Sequence, residues 1–226
     1  RELLARVSSL LLMKKSLKLA VESERDLLLS QIKPHFFYNV LNTIMGFCLT
    51  DPRQAYDLLG EFSLFISNRL HHSIIEHSIE LSEELATIRS YLKIETARFG
   101  DMLRYEIHCN APLTYPISPL LVEPLVENAV KHGIREKLSG GCVIVNIETV
   151  AEGVRITVSD DGAGMTPERL EDIQNSRLGA VGIGLSNVRR RLELDYNQPL
   201  HITSSPDAGT SVWFLLPHET ILTKIP

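Results

Sequence analysis

Three short glycine-bearing segments place flexible backbone and polar side chains at the ends of expected helices and strands. They are residues 160–164 (DDGAG) after a strand, residues 182–185 (GIGL) at the start of a helix, and residues 209–210 (GT) at the start of the last strand. Glycine tolerates positive φ and lets the backbone approach a ligand closely, and a helix that begins after glycines presents N–H groups to an anion. Each segment by itself is more typical of an ordinary turn.

A polar stripe interrupts a helix whose other side is apolar. Glu127, Asn128, Lys131 and His132 occur at positions i, i+1, i+4 and i+5, so they share one region of the helix surface. Asparagine is not a favoured residue inside a helix, so Asn128 indicates a special role. Its amide oxygen is a suitable Mg²⁺ ligand, and Lys131 can meet a phosphate as a point charge. If the stripe is considered without the glycine-bearing segments, it could equally be a solvent-exposed helix surface with no binding role.

A histidine also lies in an apolar helical segment, in residues 31–42 (QIKPHFFYNVLN). A neutral imidazole is a competent nucleophile near pH 7, since its unperturbed pKa is about 6.5. In-line attack of His35 on a γ-phosphate would therefore give a phosphohistidine. Asn39, one helical turn further on, could hydrogen-bond the imidazole. Taken without its neighbours, His35 would be interpreted as a buried structural histidine.

The elements around His35 are expected to be helices. Residues 1–33 contain no Gly or Pro. Most of their a and d heptad positions are apolar, although Lys14 and Glu24 interrupt the pattern. A two-stranded coiled coil and an ordinary domain helix fit this segment about equally. Pro34 predicts a kink, because it removes a backbone donor and crowds the preceding turn.

Two further helices follow in the N-terminal half. The first continues from Pro34, and the second covers residues 53–75 after a turn at Asp51 and Pro52. Two antiparallel helices leave apolar faces uncovered, so we expect a homodimer that completes a four-helix bundle. A third helix is expected to begin at Ser82 as its N-cap and to stop at Gly100.

Beyond Gly100 the pattern predicts strands mixed with helices. We expect an α+β fold, in which a helical hairpin precedes an α/β sandwich with helices on one face of a mixed, largely antiparallel sheet. The predicted domains are residues 1–33, 34–99 and 100–226. The expected strands are residues 103–109, 142–150, 154–159, 200–204 and 210–216, and the expected helices are residues 117–132 and about 184–195.

Composition excludes several classes of function. The net charge is −5 and no long basic block occurs, which disfavours a nucleic acid as partner. The cysteines Cys48, Cys109 and Cys142 are few and widely spaced, so neither a disulfide framework nor a zinc site is indicated. No apolar run approaches the roughly 20 residues of a membrane-spanning helix. Since the sequence opens with Arg1 in the middle of a helical pattern, we expect a fragment of a longer protein.

The glycine-bearing segments and the polar stripe, in this order, resemble the N box and the three glycine boxes of one ATP-binding domain. Gyrases, the large heat-shock chaperones, histidine kinases and MutL-type repair proteins share it, and the resemblance covers about residues 105–217. It implies that Asp160 hydrogen-bonds the adenine amino group, that Asn128 holds Mg²⁺, and that residues 165–182 form a mobile lid over the phosphates. The other nucleotide-binding positions would be Lys131, His132, Gly162, Gly164, Gly182, Gly184, Leu185 and Thr210.

The N-terminal half resembles the LytS/YesM-type sensor histidine kinases. Residues 31–42 look like their phosphoacceptor motif, Q-I-N-P-H-F-L-Y/F-N-x-L-N, with Lys33 and Phe37 in place of the usual Asn and Leu. Residues 81–99 are similar to the connecting helix of that family, and residues 123–128 (EPLVEN) also match, although Glu123 stands where Gln is common.

The resemblance implies ATP-dependent autophosphorylation of His35, with Asn39 as the candidate orienting group. It further implies a homodimer, and transfer of the phosphoryl group to an Asp of a response regulator. The chain would be the cytoplasmic kinase core of a membrane-anchored sensor. Phe36 follows the histidine where most histidine kinases carry an acidic residue.

Two alternatives are a catalytically silent ATP-binding signalling module and a chaperone- or repair-type ATPase. The intact boxes and His35 disfavour the first. Gyrase-like and heat-shock-type ATPases carry a water-activating Glu four residues before the Mg²⁺-binding Asn, and here that position is Pro124. We therefore expect slow ATP hydrolysis without phosphotransfer. The basic run at residues 189–191 (RRR) is expected to combine a phosphate-facing residue with a solvated helix face.

Overall fold

The computed structural model describes residues 34–74, 78–137, 139–175 and 183–218. The chain divides into two compact units, residues 1–42 and residues 43–226. The helix predicted over residues 1–33 lies outside the described residues. So does the helical turn before Pro34, which the predicted kink would affect. Gly182 also lies outside them.

Two helices form the first part of the described chain. Helix α1 spans Pro34–Thr50 and helix α2 spans Pro52–Ile74, in agreement with the predicted pair. Asp51 separates them and caps α2, since its side-chain Oδ1 accepts the N–H of Gln54 at 3.0 Å. The proline at the first position of α2 needs no hydrogen-bond partner there, because it has no N–H.

Helix α3 spans Leu81–Phe99, and its N-terminus differs from the prediction. The N-cap is Glu80 and not Ser82, because strand β1 (Ile79–Glu80) pairs with strand β3 (Pro116–Ile117) and keeps Glu80 extended. The Glu83 carboxylate accepts the Glu80 N–H at 2.9 Å, and Ser82 Oγ donates to the Glu80 carboxylate at 3.0 Å. The helix ends as predicted at Gly100, whose φ is 58°.

The second unit contains a mixed sheet of five strands, namely β2 Leu103–Cys109, β4 Gly141–Val150, β5 Gly153–Asp160, β6 His201–Ser205 and β7 Gly209–Pro217. Their order in the sheet is β2-β4-β5-β7-β6. Strands β2 and β4 are parallel, and the other neighbouring pairs are antiparallel, which confirms the predicted α+β class.

Alternate residues of the central strands form the core beneath the helices. Side chains at every second position point to the same face of a strand. Those buried to 2 % exposure or less are Val143, Val145, Ile147, Val154, Ile156, Val158, Phe214 and Leu216. The apolar face of α3 adds Leu81, Leu85, Ile88 and Leu92.

The helix predicted over residues 117–132 begins later and changes geometry. Helix α4 spans Glu123–Asn128 and continues as a π-helical turn over Ala129–Ile134. The preceding segment is irregular because the buried carboxylate of Glu84 accepts its backbone N–H groups. The donors are Leu120, Val122 and Glu123, at 3.0, 2.8 and 3.1 Å. Leu120 accordingly has a φ of 56°, which a helix would not allow.

Two more helices complete the second unit. Helix α5 spans Pro167–Asn175, inside the segment predicted as a lid, and residues 176–182 are not described. Helix α6 spans Ile183–Arg191 and continues as a π-helical turn over Leu192–Tyr196. Among the described helices, none is both long and apolar enough to cross a membrane.

Candidate functional site

A cavity of about 330 Å³ opens between the end of the sheet and helices α4, α5 and α6. Its walls contain six of the residues predicted from the sequence, namely Asn128, His132, Asp160, Gly164, Leu185 and Thr210. The remaining lining residues are Leu125, Ala129, Gly133, Glu136, Val158, Met165, Thr166, Arg169, Ile173, Ile202 and Val212.

Asp160 provides a carboxylate at the floor of this cavity. It is the last residue of β5 and only 9 % exposed. The Gly162 N–H donates to Asp160 Oδ1 at 2.9 Å, and the Thr210 N–H also donates to the carboxylate. Burial raises the pKa of Asp160 to about 6, although these two hydrogen bonds act against the shift. An ionised Asp160 can therefore still accept a hydrogen bond from a ligand inside the cavity.

Glycines are required around Asp160 because backbone segments approach one another closely there. A Cβ atom on Gly133 would overlap the Asp160 carboxylate, and one on Gly162 would overlap the Gly133 backbone. The Ala163 N–H donates to the Gly133 carbonyl at 3.1 Å, which joins the two segments. Gly164 has a φ of 65°, which favours glycine. The first glycine-bearing segment, residues 160–164, therefore forms one compact floor with the π-helical turn.

The polar stripe of the N box is only partly turned toward the cavity. Asn128, the last residue of α4, is half-buried and lines the cavity. His132 also lines it, and its Nδ1 lies 3.1 Å from Glu136 Oε1. Lys131 is exposed on the π-helical turn and is not among the lining residues.

The other two glycine-bearing segments each contribute one residue to the cavity wall. Leu185, in the first turn of α6, lines it. Gly184 packs against the Pro124 side chain, where an added Cβ would make an ordinary contact at 3.6 Å. Thr210 lines the cavity from β7, and its Oγ1 lies 2.9 Å from Ser204 Oγ.

His35 and Asn39 lie on α1, in the first unit, where they contact each other. The His35 ring is exposed, so it is not a buried structural histidine. Asn39 Nδ2 lies 3.0 Å from His35 Nδ1. A rotation of the amide by 180° would place the Asn39 oxygen against the same ring nitrogen.

Apolar wall residues were not predicted as part of the site. Ile202 and Val212 occupy inward positions of predicted strands, so their alternation could have indicated them. Ile173 belongs to α5, for which no helix was predicted. Glu136 lies one turn beyond His132. Its polar segment does not distinguish a cavity residue from a solvated one, so the sequence did not predict it.

Two protein-family models match the chain, one in each half. The histidine kinase family model matches residues 23–103. The model of histidine kinase-, DNA gyrase B- and HSP90-like ATPases matches residues 119–220.

Curated relatives match nearly the whole chain. YwpD of Bacillus subtilis is 36 % identical over 216 residues, which cover 95 % of this chain and 77 % of YwpD. The sensor histidine kinase YpdA of Escherichia coli is 34 % identical over 89 % of this chain. The sensor histidine kinase/phosphatase LytS of Staphylococcus aureus is 32 % identical over 89 % of it. The chain spans 35 % of the length of YpdA and of LytS.

A solved histidine kinase domain from Erythrobacter litoralis, of the blue-light activated kinase EL346, aligns with a TM-score of 0.49 and 20 % identity. The alignment covers 73 % of this chain and 74 % of that domain. The family assignment rests on the sequence matches and not on this likeness.

The mixed sheet, the glycine-bounded cavity and the matching model define the class of ATP-binding domains that histidine kinases share with gyrase B and HSP90. The match of residues 23–103 to the histidine kinase model, together with this ATP-binding domain, identifies a narrower class of protein. The chain belongs to the LytS-type sensor histidine kinases and contains their kinase core, which confirms the resemblance found in the sequence.

Proposed function

We propose that this chain is an ATP-dependent protein-histidine kinase that transfers the γ-phosphoryl group of ATP to His35. The observation that carries the proposal is the buried Asp160 carboxylate, enclosed by backbone that leaves room only for glycine. Family membership supports the kinase class. The phosphoacceptor motif at residues 31–42 supports His35 as the acceptor.

The cavity suits an adenine nucleotide in size and in its polar groups. Its volume of about 330 Å³ falls within the usual range of small-molecule sites. Asp160 would accept a hydrogen bond from the adenine amino group, and Ile173, Ile202 and Val212 would supply apolar contacts to the base. Guanine carries a carbonyl oxygen in place of that amino group, so the carboxylate would repel it.

The residues nearer α4 suit the metal and the phosphates. Asn128 would hold Mg²⁺ through its amide oxygen, which is a ligand type that Mg²⁺ accepts. Bound Mg²⁺-ATP would supply the phosphoryl group, and the metal would offset the charge on the phosphate oxygens. Lys131 and His132 would meet the phosphates. The glycines Gly162, Gly164, Gly182 and Gly184 would let the backbone approach the nucleotide.

His35 would act as the nucleophile of the reaction. Its unprotonated ring nitrogen forms the bond to the γ-phosphorus, ADP leaves with the electrons of the broken P–O bond, and the ring releases the proton of its other nitrogen. Asn39 would select the reactive nitrogen. In the structure the amide nitrogen faces Nδ1. Turning the amide by 180° would bring its oxygen to Nδ1, hold the proton there and leave Nε2 as the nucleophile.

The role of Asn39 is separable from that of His35 by two substitutions. Asn39→Ala is expected to lower the initial rate of autophosphorylation by about tenfold, as for loss of one hydrogen bond that orients the nucleophile. Asn39→Asp, which can only accept a hydrogen bond from the ring, is expected to retain more activity than Asn39→Ala. Full activity in Asn39→Ala would remove this residue from the mechanism.

The proposed partners are a second copy of the chain and a response regulator that receives the phosphoryl group on an Asp. Support for the homodimer comes from exposed apolar side chains on α1 and α2, since such patches mark interaction surfaces. The most exposed are Tyr38, Met45, Leu49, Tyr56, Leu59 and Leu64. The assignment to sensor kinases supports a location on the cytoplasmic side of a membrane-anchored sensor.

Nucleotide titration tests the ATP-binding part of this proposal. We expect ATP to bind at least about a hundredfold more tightly than GTP. A site with an acceptor for the adenine amino group strongly disfavours a base that presents an acceptor at the same position. Asp160→Asn should abolish the preference, since the amide oxygen can keep the Gly162 and Thr210 donors while the amide N–H groups face the cavity and can donate to the guanine carbonyl. Equal affinity for ATP and GTP in the unaltered protein would contradict the adenine assignment.

ATP hydrolysis separates the proposal from a chaperone- or repair-type ATPase. Because Pro124 stands at the position of the water-activating Glu, His35→Gln is expected to hydrolyse ATP slowly, at well below one turnover per second. Rapid steady-state hydrolysis of ATP by this variant would favour a chaperone- or repair-type ATPase. Tight ATP binding without any phosphorylation would favour a silent signalling module.

A further inference from the structure

Helix α5 forms one wall of the nucleotide cavity, yet its own packing holds it weakly. Arg169 and Ile173 line the cavity from this helix, and Met165 and Thr166 line it just before the helix begins. None of the nine residues of α5 is buried. A helix this short is not stable by itself, so its position depends on contacts with its neighbours.

Two side chains tie the C-terminal end of α5 to the rest of the unit. Gln174 Nε2 donates to the Ile202 carbonyl of β6 at 3.1 Å. The Arg189 guanidinium of α6 donates to the Ile173 carbonyl at 3.0 Å. The carbonyls in the last turn of a helix have no partner within it, and a cation there also complements the helix dipole. Arg189 therefore meets α5 at the position where a cation stabilises it most.

Arg189 also connects α5 with the glycine-bearing segment at the start of α6. Leu185, which lines the cavity, precedes Arg189 by four residues, so the two lie on one face of α6. One helix thus presents Leu185 to the cavity and Arg189 to α5. Arg190, the next residue, is exposed.

We propose that Arg189 is a positioning residue that holds α5 as a wall of the nucleotide cavity and thereby sets how long a bound nucleotide stays. This inference rests on the proposed function, since it takes the ligand to be an adenine nucleotide. Arg189 is not among the lining residues, so it acts on the nucleotide through the Ile173 carbonyl. It does not act as the phosphate-facing residue that the basic run suggested.

Amide hydrogen exchange of the nucleotide-free protein tests the positioning without any ligand. Arg189→Gln is expected to speed exchange of the α5 amides by about tenfold, as for loss of a charge-assisted hydrogen bond, while the central strands β4 and β5 keep their protection. Gln174→Ala should speed exchange in the same helix. Arg190→Gln removes the same charge from an exposed position and should leave α5 unchanged.

Dissociation of fluorescent mant-ATP tests the consequence for the nucleotide. Arg189→Gln should release it about tenfold faster than the unaltered protein, with a similar association rate, and Arg189→Lys should restore part of the difference because Lys can still donate to the carbonyl. Unchanged exchange in α5, or an equal effect of Arg190→Gln, would overturn the inference. Failure of the unaltered protein to bind mant-ATP would instead overturn the proposed function.

Discussion

At the scale of single residues, Asp160 combines a ligand-facing carboxylate with surroundings that oppose its charge. Burial raises its pKa to about 6, against an ordinary value of 3.8. Between these two values the folded protein holds a proton that the unfolded chain has lost. The stabilisation from this proton is complete below pH 3.8 and is lost as the pH rises through about 6. At neutral pH the ionised Asp160 therefore lowers the stability of the empty domain.

Asp160→Asn is accordingly expected to stabilise the nucleotide-free protein at pH 7.5. The gain in unfolding free energy should be about 1 to 2 kcal/mol, after allowance for solvent screening in an open cavity. It should shrink as the pH falls toward 4.5, because Asp160 then becomes neutral in the unaltered protein as well. Urea unfolding at both pH values measures the difference. Asp172→Asn, at an exposed carboxylate on α5, is the control, and a gain independent of pH would contradict the account.

Individual site residues could be predicted where chemistry restricts the residue type. Asp160, Asn128 and Thr210 stand beside glycines or inside a helix, in positions that their propensities do not explain. Ile173 and Ile202 could not be assigned in this way, because an apolar residue at a cavity wall follows the same pattern as one in the core. Glu84 was also missed, since a buried carboxylate with backbone partners is indistinguishable in sequence from a solvated helix residue.

At the scale of elements, the start of α4 depends on Glu84 of α3. This carboxylate is 1 % exposed, and burial raises its pKa, while hydrogen bonds from Val122, Glu123 and Leu120 act in the opposite direction. Since α4 ends at Asn128, the same carboxylate fixes where Asn128 meets the cavity. A buried N–H that loses its acceptor costs about 1–3 kcal/mol.

Glu84→Ala is therefore expected to destabilise the protein by about 2–4 kcal/mol, because the effects of three neighbouring donors add only in part. Glu84→Gln, which keeps one amide oxygen, should lose less. Arg89→Ala, at an exposed position of the same helix, should change stability by less than about 0.5 kcal/mol. Urea unfolding measures all three variants. A Glu84→Ala protein as stable as Arg89→Ala would show that these hydrogen bonds do not hold α4.

The elements themselves were largely predictable, and their boundaries were less so. Alternation predicted the strands, and the caps at Asp51 and Gly100 predicted two helix ends, because these signals act within a few residues. The late start of α4 and the cap at Glu80 arise from partners distant in sequence, namely Glu84 and strand β3. No local pattern carries that information.

At the scale of the whole molecule, an ion pair joins the predicted phosphotransfer helices to the predicted ATP-binding domain. Arg69 of α2 lies 2.9 Å from Glu123 of α4, and their side chains are 19 % and 1 % exposed. The Arg69 guanidinium also lies 5.7 Å from the centre of the buried Phe65 ring. The sequence resemblance predicted Gln at this position of α4, and in this chain Glu123 supplies the carboxylate of the ion pair.

Substitution of the two partners should show strong coupling. Arg69→Met alone is expected to cost about 3 kcal/mol of unfolding free energy, because it removes a hydrogen-bonded cation from a buried carboxylate. Adding Glu123→Gln should recover about 1–2 kcal/mol, since the charge that needed a partner is removed. Arg53→Met, at an exposed position on α2, is the control. Strictly additive losses in the double variant would mean that the pair does not join the two regions energetically.

The identity of the phosphoacceptor is the central claim, and labelling with γ-³²P-ATP and Mg²⁺ measures it directly. We predict acid-labile, alkali-stable label on the unaltered protein and on His108→Gln, whose histidine is also exposed and lies on β2. We predict none on His35→Gln or on Asp160→Asn, provided that all variants fold. Label that persists on His35→Gln would contradict the account, because the phosphoryl group would then have a different acceptor.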